Sequence, residues 1–101
     1  MAIYSLDDIH ALVSVNAWDY GTRNSRAKAQ SYGMTRDDVA RCLLALTHAD
    51  FQKEFGEAQT EYGVLMTDAY VTEFDGLFLY VKFGLHEDHD GTLCVVASLH
   101  T

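Results

Sequence analysis

The sequence predicts an α+β domain, with N-terminal helices packed on one face of a three-stranded antiparallel sheet. Three observations carry this. Residues 77–83 alternate Leu77, Leu79, Val81 and Phe83 against Phe78, Tyr80 and Lys82, the two-residue period of a strand with two faces. Asp75-Gly76 is a hairpin turn signal that joins this strand to residues 64–74. In the first half of the chain, apolar residues instead recur at three- and four-residue spacing behind Ser or Thr and acidic start signals. Both faces of 77–83 are largely apolar, so it reads as a central strand covered by helices. On its second face the only polar tips are Tyr80 and Lys82, which makes that face the place for a functional surface.

In chain order, Ser5 followed by Asp7 and Asp8 starts a first helix whose apolar stripe is Leu6, Ile9, Leu12 and Val13. Residues 16–22 break that spacing and read as a loop in which Trp18 and Tyr20 seal the core edge. Residues 25–32 form a short basic helix ended by Gly33. Thr35 and Asp38 are a capping box before a helix with the stripe Val39, Cys42, Leu43 and Leu46. Thr47 and Asp50 repeat the start signal, and Phe51, Phe55 and Ala58 at i, i+4, i+7 predict a last helix, short or irregular because of Gly56. The chain turns over 59–63, forms strands over 64–74 and 77–85, crosses a polar loop at 86–91 and returns as a strand over 92–100.

A chain of 101 residues, nearly half of them apolar, is one folded domain. It lacks an apolar run long enough to span a bilayer and a signal-peptide pattern, which predicts a cytoplasmic protein with no membrane partner. Cys42 and Cys94 have no metal-type spacing and read as buried thiols. Charge is unevenly placed. Residues 1–41 balance five basic against five acidic side chains, so the net −8 falls wholly in residues 42–101, where only Lys53 and Lys82 are basic. Phosphate binding draws on cations, which counts against ordinary nucleic-acid binding outside the one basic cluster, Arg23 to Arg41.

Several segments together resemble a known family. They are Asp50, Phe51 and Lys53; Asp68 and Tyr70; the run Leu79-Tyr80-Val81-Lys82-Phe83; and the closing Val95 to Leu99. The opening Tyr4-Ser5-Leu6-Asp7 and the spacing of Gly33, Leu43 and Leu46 are also similar. In order and spacing these resemble the MqsR family of bacterial type II toxins, which share a fold with RelE-type mRNA interferases. The resemblance implies a metal-independent mRNA endoribonuclease that needs no cofactor and is neutralised by a cognate antitoxin. Carried over by position, Lys53 matches the family's helix lysine and Tyr80 its central-strand tyrosine, while His100 stands where a lysine is usual. Thr67 stands where a glutamine is usual, Gln52 where a tyrosine, Glu54 where a serine and Met66 where a tryptophan.

Metal-free RNA cleavage needs a base for the 2′-hydroxyl, an acid for the leaving oxygen and fixed cations for the developing charge. The resemblance therefore implies Lys53, Tyr80 and His100 as catalytic residues, a histidine being able to act as acid or cation near neutral pH. Thr67, Tyr70 and Lys82 are the implied substrate contacts, with Arg23 and Arg26 of the basic cluster gripping RNA. Each has an ordinary structural role as competitor. Tyr80 could fill the sheet, Lys53 could pair with Glu57 at i, i+4, and His100 could fray. The cluster His86-Glu87-Asp88-His89-Asp90 offers metal-type ligands but reads as a solvated hairpin turn, so no metal is expected. A different class of function stands beside the nuclease: a member of the same fold that no longer cuts RNA, whose acidic half binds a basic protein partner as an inhibitor or nucleic-acid mimic. Exposed sheet edges would suit either an antitoxin or a homodimer.

Overall fold

The computed structural model describes residues 1–101. Helix α1 (Leu6–Ser14) starts where Ser5 leaves extended backbone and its carbonyl accepts the Ile9 N–H at 3.1 Å. The Ser5 hydroxyl makes no capping bond; Asp7 and Asp8 supply the favourable negative charge at the helix's positive end. Helix α2 (Arg23–Ser31) is capped by Thr22, whose Oγ1 accepts from Ser25 N–H at 3.0 Å. Helix α3 (Arg36–Ala45) carries the expected reciprocal capping box between Thr35 and Asp38.

The α+β class holds, but the sheet has five strands rather than three. They are β1 (Trp18–Tyr20), β2 (Phe51–Thr60), β3 (Gly63–Phe74), β4 (Leu77–Asp88) and β5 (Gly91–His100). Their spatial order is β1-β5-β4-β3-β2, all antiparallel except that β1 runs parallel to β5. The largest correction concerns the predicted last helix. The Thr47–Asp50 capping box forms, yet it opens only a 3-10 turn over His48–Asp50, and the chain then enters β2. Gly56 has a φ of 100°, which no α-helix accommodates. Lys53 therefore lies on an edge strand, not a helix. A second correction is β1, three residues inside the segment read as a loop. The third is that 86–91 is mostly ladder: His86, Glu87 and Asp88 pair with Leu93, Thr92 and Gly91, which leaves only His89 and Asp90 as the turn.

Helices α1 and α3 cover one sheet face. Ile9, Val13, Val39, Cys42 and Leu43 join Trp18, Tyr70, Leu79, Val81, Phe83, Cys94, Val96 and Leu99 in one core. Helix α2 lies along β5, where the hydroxyls of Ser25 and Thr22 donate to the carbonyls of Val96 and Ala97, both at 3.3 Å. Asp68, fully buried on β3, accepts the backbone N–H groups of Ile3 and Tyr4, each at 2.9 Å, and so ties the N-terminal segment to the sheet. On β4, Gly84 faces a backbone crossing: a Cβ there would lie 2.4 Å from the Met66 carbonyl oxygen. No helix is long and apolar enough to cross a membrane.

Candidate functional site: the open face of the sheet

Strand register decides which side chains share the face turned away from α1 and α3. Lys53 on β2 stands opposite Ala69 on β3, which stands opposite Lys82 on β4, which stands opposite Ser98 on β5. The neighbouring row is Val71, Tyr80 and His100. Directly paired residues point to the same side, so Lys53, Tyr80, Lys82 and His100 occupy one face.

Tyr80 and Lys82 reach that face by plain alternation, the other two by β-bulges. On β5, Val96 faces the core opposite Phe83, and unbroken alternation would carry residues 98 and 100 into the core after it. The pairing instead steps from Phe83–Val96 to Lys82–Ser98, leaving Ala97 as an extra residue that turns Ser98 and His100 outward. On β2, Phe51 faces the core with its ring edge-on to Tyr70 at 5.5 Å, and the extra residue Gln52 swings Lys53 to the opposite face. A second bulge between Glu54 and Gly56 leaves Phe55 without a partner on β3.

The His100 ring stacks on the Tyr80 ring with centroids 4.9 Å apart and planes 27° apart. The Lys82 ammonium lies 3.5 Å from the centre of the Phe55 ring and 6.0 Å from that of Tyr80, and the Lys53 ammonium lies 5.6 Å from Phe55. The only two basic side chains of the acidic half thus flank one phenyl ring. Burial, and after it the Lys53 charge, holds the Lys82 ammonium below its usual range.

Two competitors for these side chains are absent. Lys53 makes no ion pair with Glu57, and Glu54 stands opposite Asp68 on the other face, where it meets the Met1 ammonium at 3.8 Å. The end of β5 is anchored, since Thr101 N–H donates to the Tyr32 hydroxyl at 3.1 Å. His100 Nδ1 lies 3.1 Å from the Thr101 carbonyl oxygen. That oxygen only accepts, so in this contact Nδ1 is the donor, and Nε2 makes no hydrogen bond within the chain. A phenol and an imidazole in contact, beside two ammonium groups, can exchange protons with a bound anion and stabilise its charge.

The other expected substrate contacts stand apart from the cluster. Tyr70 is 1% exposed on the core face, stacked on Phe83 at 5.2 Å, and burial pushes its hydroxyl up. Thr67 stands two residues from Ala69 on β3 and so shares the face of Lys53 and Lys82, but it is fully buried and its hydroxyl donates to the Gly56 carbonyl at 3.0 Å, closing the second β2 bulge. Both are closed off from solvent. Arg26 meets Asp19 at 3.9 Å and lies over the Tyr20 ring, and Arg23 is exposed in the first turn of α2. Neither arginine pairs with any of the four open-face residues. Of the expected contacts, Lys82 alone joins the cluster.

Phe55 and Asp68 were the residues sequence reasoning missed. The i, i+4, i+7 spacing of Phe51, Phe55 and Ala58 puts Phe55 on a helical stripe instead. Asp68 was matched within a motif, but nothing in a sequence marks a carboxylate that will bury itself under the chain's first residues. The concave regions lie away from the cluster: a cavity of about 290 Å³ lined by Asp8, Leu12, Leu85 and Glu87, and one of about 190 Å³ lined by Tyr62, His86, Asp88 and Leu93. Lys53, Tyr80, Lys82 and His100 line neither of them. No three of the chain's His, Cys, Asp and Glu side chains converge in a metal-holding arrangement. Cys42 and Cys94 are buried, and burial pushes their thiols up to about 11 and about 12, which keeps them protonated and unreactive.

No curated protein matches the chain. A family model does, described as motility quorum-sensing regulator, toxin of MqsA, and it covers residues 1–100. The order of helices and strands around an open sheet face and that match over nearly the whole length lead to one conclusion: the chain belongs to the MqsR toxin family.

Proposed function

We propose that this chain is the toxin of a toxin–antitoxin pair and acts as an mRNA endoribonuclease on the open sheet face, without a metal ion. The observation that carries the reading is the gathering of Lys53, Tyr80, Lys82 and His100 on one accessible surface, with Tyr80 stacked on His100. In this mechanism Lys53 and Lys82 hold the scissile phosphate and offset the charge that grows on it. His100 Nε2 takes the 2′-hydroxyl proton as the 2′-oxygen bonds to phosphorus. Tyr80 gives its proton to the 5′-oxygen as the P–O5′ bond breaks. The products are a 2′,3′-cyclic phosphate and a free 5′-hydroxyl, and proton return from His100 to Tyr80 through water resets the pair.

The family description supports an antitoxin as protein partner. The outer edge of β2 offers unpaired backbone groups to that antitoxin or to a second copy of the chain. The test is cleavage of a long mRNA transcript in EDTA by the wild type, Lys53→Ala and Tyr80→Phe. Discrete cuts by the wild type, lost in both variants and ending in cyclic phosphates, support the nuclease. A transcript left whole at high protein excess overturns it and favours the acidic inhibitor, a reading that rests on the net −8 of residues 42–101.

A further inference from the structure

We infer that Phe55 and Phe78 are stacking platforms for unpaired bases, so that the open face takes single-stranded RNA and rejects duplex. The inference rests on the proposed RNA substrate and concerns how that substrate is held. Phe55 is the bulge residue of β2, 42% exposed, and its ring lies against the Lys82 ammonium with Lys53 close by. Phe78 is 68% exposed and shares the Tyr80–Lys82 face of β4, beyond Tyr80 from Lys82. Tyr80 and His100 thus lie between two exposed phenyl rings on one sheet face.

A single exposed phenylalanine needs no explanation on a protein surface. Two of them on the face that also carries every basic side chain of the acidic half make a pattern. Single-stranded nucleic acid is held by cations that track its backbone and by aromatic rings on which successive bases stack. Phe55 is placed for both at once: the Lys82 ammonium covers one face of its ring at 3.5 Å, and a base that stacks on the other face, or displaces the ammonium onto its own phosphate, brings that phosphate within reach of Lys53 and Lys82. A paired base offers no free face to either ring, which is the source of the preference for single strands. The two platforms are unequal. Glu73 stands opposite Phe78 on β3, so that end has a ring and an anion where the Phe55 end has a ring and two cations.

The test measures affinity for a fully 2′-O-methylated RNA 12-mer, alone and annealed to its complement. This probe lacks the attacking hydroxyl, so binding is read independently of cutting. The expected result is tighter binding of the single strand. Phe55→Ala weakens it about tenfold, in the range for loss of one base stack. Phe55→Leu, which keeps apolar bulk without a π face, weakens it similarly, Phe55→Trp retains it, and Phe78→Ala has a smaller effect. Far-UV circular dichroism and melting temperature confirm that each variant is folded. Equal binding by wild type and Phe55→Ala, binding by Phe55→Leu at the wild-type level, a preference for duplex, or no binding each overturns the inference. A transcript that is cut, with binding indifferent to Phe55, sinks the platforms and keeps the nuclease. An uncut transcript with Phe55-dependent binding does the reverse.

Discussion

The imidazole of His100 lies flat against the phenol ring of Tyr80, 4.9 Å between centroids, because the two residues are direct partners across the β4–β5 ladder. Both rings are partly exposed on the open face. In the proposed mechanism this contact couples the two proton-transfer steps.

His100→Ala is expected to lower the single-turnover cleavage rate by roughly 10²–10⁴-fold, the usual contribution of a positioned general base. His100→Lys, which places there the lysine that the family resemblance implies, recovers part of the rate and moves the optimum to higher pH, since an ammonium must first lose its proton to act as a base. Rates between pH 6 and 10 decide the matter. Wild-type cutting by His100→Ala would remove the imidazole from the mechanism.

Lys53→Ala is expected to raise the pKa of Lys82 without restoring its ordinary value, because burial is the larger cause of the depression and remains. With the folded-state pKa below the unfolded one, the unfolded chain binds more protons across that window. The Lys82 contribution therefore opposes folding at lower pH, and the penalty fades as pH rises through the folded-state value. Removing Lys53 flattens this rise in stability. An NMR titration of the Lys82 side chain checks the shift, and an unmoved Lys82 would mean the two ammoniums do not sense each other.

Asp68→Ala removes the acceptor for the Ile3 and Tyr4 N–H groups and should cost about 2–4 kcal/mol, given the strength of hydrogen bonds to a charged group and the donors left unpaired. Denaturant midpoints measure the loss. Amide exchange at residues 3 and 4 should quicken beyond what the change in global stability explains. Unaltered exchange there would show that the N-terminal segment is held by something other than this carboxylate.

Gly84→Ala places a methyl group 2.4 Å from the Met66 carbonyl oxygen, a backbone atom that moves only if β3 moves. A loss of about 1–3 kcal/mol is expected, as for other overpacked sites. A variant as stable as the wild type would show that β3 slides away from β4 at little cost.

The strand 77–83, the hairpin at Asp75-Gly76 and the starts of α1 and α3 were legible because each is written in contiguous spacing or in a cap of a few residues. Asp75 and Gly76 both take positive φ, at 49° and 82°, as that turn requires. Tyr80 and Lys82 were legible for the same reason. Strand β2 was not. Bulges at Gln52 and Phe55 break its alternation twice within five residues, and what remains, Phe51, Phe55 and Ala58, imitates a helical stripe behind a genuine capping box. Strand β1 is too short to show any period and is defined only by its partner β5. Lys53 and His100 were named through family resemblance; the bulges at Gln52 and Ala97, which no local pattern announces, are what set them on the open face. Tyr70 and Thr67 were named on the same ground, and their burial depends on neighbours distant in sequence.

The extra residue at Ala97 acts as a change of phase. Upstream of it β5 alternates to suit the hydrophobic interior; downstream it alternates to suit the solvent, with the hydrogen-bonded ladder intact on both sides. Substitution at positions 98 and 100 is thereby released from the demands of the interior, so the chemistry displayed at the strand's end can change while the packed half of the same strand stays as it was.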